Sequence, residues 1–264
     1  MTEARPRASH DARAAIGLFT RIPVGSLDGR PLRPGVIMAF GPIVGVVLGL
    51  AAAAVLGIVQ VLVGGPTADG VAAVAALATT AYLTRGLHLD GLADMADGLG
   101  ANRSPAEAVA VMQRSDIGAF GAATLVFVLL LQTALLAGLT SGGAGLAALL
   151  VALPAGRLAA MWLCGPGATA APGSRLGAWV AGRVSWAVAA AITVVTAAAA
   201  GVLTLWTSGS ALAGPIAFLA ALAAGAAVWA IARRRFAGVT GDVLGTAVEV
   251  AQSAALLALA AALL

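Results

Sequence analysis

Read from its N-terminus, the chain alternates long apolar stretches with short polar ones. The apolar stretches run about 36–63, 71–84, 117–139, 143–163, 184–206, 211–232 and 243–264. Most are near the roughly 20 residues that a helix needs to cross a bilayer. The second is short as written and spans only if it continues toward Arg85. The pattern predicts an all-α fold, a polytopic membrane bundle of about seven transmembrane helices. It predicts one integral membrane unit over 1–264, with an N-terminal interfacial segment over 1–35 and a polar loop and helix over 85–116. Residues 11–24 read as a short interfacial helix, with Ile16 and Phe19 toward lipid and Arg13 and Arg21 toward headgroups. The apolar run Ala14–Phe19 is short and Arg21 interrupts it, so a secretory signal is not expected.

Composition supports this division. Of 264 residues, 61% are hydrophobic and 10% charged, against about 25% charged in a soluble domain. With Cys164 as the one cysteine, no intrachain disulfide is available. The 15 basic residues are all arginines. Threaded through seven spans, they fall on one side of the bilayer or at helix ends facing it. By the positive-inside rule that side is cytoplasmic, which places the N-terminus inside and the C-terminus outside. The same sorting makes lipid headgroups, and not nucleic acid, the natural partner of the net charge of +4.

Small residues mark packing. Gly41, Gly45 and Gly49 recur every four residues, a stripe that lets helices approach closely. Pro42 is expected to kink the helix near its start.

The acids point to chemistry. Asp90, Asp94 and Asp97 lie in "LHLDGLADMADG". At i, i+4 and i+7 they fall within an arc of about 60° on one helix face. Like charges so placed repel, by roughly 1 kcal/mol per pair at 4 Å in water and about 4 at an effective dielectric of 20. No Lys or Arg lies between them, so a bound cation is the simplest relief. Hard oxygen donors without a thiol favour Mg²⁺, Mn²⁺ or Ca²⁺ over zinc. Mg²⁺ suits a sparse carboxylate set completed by water and substrate phosphate. The competing account is a solvated acidic helix end. His88 stands about 160° around the helix from Asp90, as a substrate contact or base or as an interfacial histidine. Arg85, Arg103, Arg114 and Arg157 are candidates to clamp phosphate; each alone also reads as a headgroup anchor.

Downstream, Ser104-Pro105-Ala106-Glu107 signals a helix start, predicting a short helix over 104–114. Ser115 or Asp116 is placed to cap the next span. Asp242, Gly245, Thr246 and Glu249 share a face of the last helix. Asp242 reads as a site residue or an N-cap. Glu249, an acid within a span, is a functional candidate by default.

Taken together, "GLHLDGLADMADGLG", "IGAFG" and "GDVLGTAVE", with "FTRIPV" and "FGPIVG" upstream, resemble the cobalamin synthase family, the adenosylcobinamide-GDP ribazoletransferases. The resemblance runs from about residue 16 to the end. It implies a Mg²⁺-dependent enzyme of the bacterial inner membrane with its site on the cytoplasmic side. The substrates would be adenosylcobinamide-GDP and α-ribazole or its 5′-phosphate, and GMP would leave. Asp90, Asp94 and Asp97 would hold one or two Mg²⁺ ions, Asp97 or His88 would act catalytically, and Arg85, Arg114, Asp116, Asp242 and Glu249 would contact substrate. An oligomer is compatible with such a chain. One departure stands out: the family often reads Asp-Ser-Arg where this chain has Arg114-Ser115-Asp116. Also, Gln252 stands where relatives carry a second acid. Two rivals share some features. A CDP-alcohol phosphotransferase would carry Ala-Arg after its first Asp-Gly, where this chain has Ala93-Asp94. An ion-coupled transporter would want acids at mid-depth and an internal duplication.

Overall fold

The computed structural model describes residues 7–27, 29–101, 104–114 and 116–264. Arg103 and Ser115, named above as a phosphate clamp and a cap, lie outside the described residues. The elements are helices: α1 (Arg7–Phe19), α2 (Pro34–Ala39), α3 (Gly41–Val63), α4 (Ala68–Leu83), α5 (Leu87–Gly100), α6 (Pro105–Met112), α7 (Ala119–Ser141), α8 (Gly145–Trp162), α9 (Arg175–Val180), α10 (Trp186–Ser208), α11 (Ala213–Arg235) and α12 (Gly241–Leu263). Among the described residues six spans are long and apolar enough to cross a membrane: α2 with α3, α7, α8, α10, α11 and α12. A seventh exists if α4 and α5, bent by 89°, count as one.

Two of these helices form the centre. In α8 and α12 about four-fifths of the apolar window is buried inside the protein (83% and 78%), against 17% in α7 and 22% in α10. The outer helices instead present Phe127, Val194, Val195 and Trp206 outward, the side chains expected to meet lipid tails. Close helix contacts rest on missing side chains. A Cβ at Gly45 would sit 2.6 Å from Pro154 Cα, and one at Gly156 would sit 2.7 Å from the Val248 carbonyl. The glycine stripe of α3 therefore seats against α8, and Gly156 of α8 against α12. In hydrocarbon, where burying apolar area drives nothing, such close packing supplies the association. Pro154 lies inside α8 without breaking it, as neighbouring helices allow in a span.

The N-terminal segment departs from its sequence reading. α1 runs Arg7–Phe19, not 11–24, and Phe19 is buried in the protein core instead of turned to lipid. Arg13 donates through Nε to the Val24 carbonyl (2.9 Å), and Asp11 pairs with Arg33. Arg21 stacks over the Tyr82 ring at 4.0 Å. These contacts fold 7–27 back onto the end of the bundle. The expected interruption near Pro42 is a break at Phe40 between α2 and α3.

Candidate active site

Two consecutive left-handed residues create the site's geometry. Arg85 (φ 58°) and Gly86 (φ 69°) turn the chain sharply after α4. For Arg85 this conformation costs roughly 1–2 kcal/mol; for Gly86 it is free of that penalty. The 89° bend lays α5 across the first turns of α7 and α12, at one end of the bundle. Contact with α12 is close: a Cβ at Gly91 would sit 2.8 Å from Asp242 Cα. Thr246 Oγ1 donates to the Gly91 carbonyl (2.9 Å), and Gly245 lies against the His88 backbone. The glycines and the threonine of the two motifs are thus the contact between them, and Asp242 is brought beside α5. The N-cap of α12 is Thr240, which accepts from Val243 N and donates to Asp242 (3.2 Å). Asp242 is therefore not the cap.

The three aspartates separate. Asp90 and Asp94 line one cavity of about 460 Å³ together with Arg85, Arg114, Asp116 and Ile117. Asp97 serves another purpose: its Oδ2 accepts from Gly118 N (2.7 Å) and its Oδ1 from Gly121 N (2.8 Å). It caps the start of α7 from a different helix, a task the sequence reading gave to Ser115 or Asp116. The glycines of "IGAFG" make room for that carboxylate. Both oxygens of Asp97 accept amides of α7, and Asp97 does not line the cavity that Asp90 and Asp94 share. Among the described residues no group of three or more His, Cys, Asp or Glu is gathered as a metal cage. The electrostatic crowding is nonetheless present. The Asp94 carboxyl is pushed up to about 7, first by burial, then by the charges of Asp90, Asp242 and Asp97.

Opposite the acids, Arg114 and Asp116 form an exposed pair, Nη2 to Oδ2 at 2.8 Å. The guanidinium holds the Asp116 carboxyl below the usual carboxylate range. The exchanged order of acid and base therefore leaves the two partnered with each other on the cavity wall. Between them and α5 runs α6, started by the expected box: Ser104 N and Oγ both donate to Glu107 Oε2 (3.2 and 2.6 Å). Its Met112 packs on Gly98.

Arg157 and Glu249 are not in this cavity. Arg157 is 2% exposed, not a headgroup anchor or a phosphate clamp. Its Nη1 donates to Gln252 Oε1 (3.0 Å) and to the Leu153 carbonyl (3.2 Å), and its Nη2 donates to His88 Nδ1 (3.3 Å). Glu249, 6% exposed, accepts from Gln132 Nε2 (3.0 Å). Gln252 Nε2 in turn donates to Gln132 Oε1 (3.4 Å), and Ser253 accepts from Gln132 (3.0 Å). This chain of hydrogen bonds satisfies the acid of the span and ends at His88. Gln132 and Ser253 carried no sequence signal beyond being polar in apolar runs; Gln252 was marked only by the resemblance.

His88 links the network to a second, smaller cavity. It is 4% exposed. Because Arg157 can only donate, Nδ1 accepts and the ring proton sits on Nε2. Among the described residues Nε2 has no hydrogen-bond partner. The cavity, about 110 Å³, lies on the α1, α2 and α12 side of α5 and is lined by Phe19, Met38, Leu176, Leu244, His88, Asp90 and Asp242, among others. Asp90 thus belongs to both cavities.

Fold and site together define a helical membrane protein with an acid-lined cavity, Arg85 and Arg114 on its wall, beside a smaller and more apolar one at the same end of the bundle. The comparisons with known proteins make this particular: residues 11–260 match the profile of the cobalamin-5-phosphate synthase family (CobS), and the chain belongs to that family. It is 38% identical to an adenosylcobinamide-GDP ribazoletransferase of Frankia casuarinae over 95% of this chain and 94% of that one. It is 33% identical to the same-named protein of Rhizobium etli (96% and 97%) and 36% identical to that of a Nocardioides species (91% and 97%). No solved structure matches. The rival readings as a CDP-alcohol phosphotransferase or a transporter gain no support from these matches.

Proposed function

We propose that this chain is an adenosylcobinamide-GDP ribazoletransferase, joining adenosylcobinamide-GDP to α-ribazole or its 5′-phosphate with release of GMP. The observation that carries the reading is the pairing of Asp90 and Asp94 with Arg85 and Arg114 on one cavity, in a chain that matches the family over 11–260. The reaction is a displacement at phosphorus. A ribose hydroxyl oxygen forms a bond to the phosphorus bearing the cobinamide arm, and the bond from that phosphorus to the GMP oxygen breaks. The hydroxyl proton passes to a carboxylate of the Asp90, Asp94 and Asp242 set. Arg85 and Arg114 bind and orient the diphosphate, since guanidinium geometry matches phosphate oxygens. Positioning and electrostatics supply most of the catalysis in such transfers.

The donor set fits a Mg²⁺ ion. Mg²⁺ uses one or two carboxylates and leaves its other positions to water and substrate phosphate, and two carboxylates face the cavity while Asp97 is engaged elsewhere. Asp90 and Asp94 would hold it. When bound, it supplies charge neutralisation at the diphosphate. The arginine-bearing loops gather at the same bundle end as the cavity, which supports a cytoplasmic-facing site in a bacterial inner membrane.

The test is turnover by the full chain purified in detergent, given adenosylcobinamide-GDP, α-ribazole phosphate and Mg²⁺. GMP together with a cobalamin product is expected. No turnover with any divalent metal would overturn the reading.

A further inference from the structure

At the end of the bundle where α11 finishes in Arg233, Arg234 and Arg235, a third cavity of about 600 Å³ lies between α8, α10, α11 and the loop after α8. It shares no lining residue with the two described above. Its walls are Trp162, Trp186 and Trp229 with small and aliphatic residues, and Arg233 is the one charged side chain among its described lining residues. We infer that this cavity is a binding site for an anionic phospholipid of the leaflet on the arginine-rich side, with an acyl chain between the tryptophans and the headgroup phosphate on Arg233.

Size and lining admit a chain. The volume lies within the roughly 300–1,000 Å³ of sites that take organic ligands. α10 and α11 are outer helices, with 22% and 33% of their apolar windows buried, and Trp186 is 52% exposed, so the cavity opens where lipid lies. Walls that face a void lose their dispersion contacts, and an acyl chain restores them. The aromatic walls are held in place: the Trp162 and Trp186 rings lie 5.4 Å apart, and Trp162 Nε1 donates to Thr193 Oγ1 (2.9 Å). The charge selects the headgroup. Arg233 makes no ion pair among the described residues, and its guanidinium lies 5.8 Å from the centre of the Trp229 ring. Tryptophans favour the depth of the membrane interface, and a guanidinium there matches phosphate oxygens. No acid in the described lining opposes an anion. A corrin suits the space less well, because its amide side chains would meet no acid, amide or hydroxyl side chain, and a buried amide without a partner is costly. General attraction of lipid to arginines needs no cavity. Here one of three consecutive arginines lines an aromatic cavity and its neighbour Arg234 does not, which supplies a control within the same helical turn.

The experiment uses the full chain in phosphatidylcholine vesicles that contain a small, equal fraction of either phosphatidylglycerol or phosphatidylcholine with brominated chains. Bromine quenches the tryptophans it touches. Trp206, 91% exposed near the other end of α10, reports bulk lipid and sets a common background. In wild type the brominated phosphatidylglycerol is expected to quench as if its local fraction were raised about fivefold, the worth of one arginine near the surface. R233Q should bring the two lipids to parity. R234Q makes the same change of charge outside the lining and should keep the preference within about twofold. A226F fills the cavity from an exposed position of its wall and should also remove the preference. Size-exclusion profiles check that each variant is folded. Equal quenching by the two lipids in wild type overturns the proposal. So do equal effects of R233Q and R234Q, which mark diffuse surface charge, and a preference that survives A226F, which places the lipid elsewhere. Loss of the preference on adding adenosylcobinamide-GDP would give the cavity to the corrinoid instead.

Discussion

Two groups of acids in this molecule meet opposite fates. At the bundle end, Asp90 and Asp94 face a cavity, and the charges crowded around Asp94 are other aspartates. Inside the bundle, Glu249 is hydrogen-bonded to Gln132, which is joined through Gln252 to Arg157 and on to His88. Among the described residues the first group makes no ion pair, and the second is held in a hydrogen-bonded network. Partnered charge within a span reads as architecture, whereas unpartnered charge at a cavity reads as a place for something that arrives. Asp97 shows that proximity in sequence does not decide the matter. It is seven residues from Asp90, yet its carboxylate belongs to the architecture of α7.

Substitutions can break this contrast. The largest effect is expected at the cavity. D94N keeps the shape but removes the charge, and turnover should fall about 10⁴-fold, near 5.4 kcal/mol at 1.36 per decade, with an unchanged size-exclusion profile; GMP release assays read it directly. R157L should act on stability instead. It leaves the Gln252 Oε1 without its buried donor, at a cost of about 1–3 kcal/mol, seen as earlier thermal unfolding in detergent. G121A places a methyl against the Asp97 carboxylate and the Ala93 carbonyl and should cost about 1–3 kcal/mol by the same measurement. D97N should cost about 1 kcal/mol, the worth of one cap. Smallest of all, D116A should change stability by less than about 1 kcal/mol, because its pair with Arg114 is exposed.

Much of the frame was readable in advance. Long apolar runs marked six of the spans found among the described residues, and the start of α6 followed from Ser104-Pro105-Ala106-Glu107. The glycine motifs marked the close contacts of α3 with α8 and of α5 with α12. The α4–α5 bend was not readable, because it depends on Arg85 adopting a left-handed conformation that arginine rarely takes. Nor was the split among the aspartates. Helical spacing fixes a face, but what that face meets is set by α7 and α12, brought in from more than twenty residues away. Arg157 misled for a related reason: five residues from the end of α8, it looks like a headgroup anchor until Glu249 and Gln252 of α12 are seen beside it. The role of α1 in walling the apolar cavity was hidden too, since Phe19 in an amphipathic segment looks the same whether it faces lipid or protein.

The sharpest measurement is Mn²⁺ binding, followed by electron paramagnetic resonance in the presence of adenosylcobinamide-GDP, for wild type, D94N and D97N. The expectation is that D94N loses the ion while D97N keeps its affinity within about threefold. Loss in D97N with retention in D94N would contradict the division of the acids argued above.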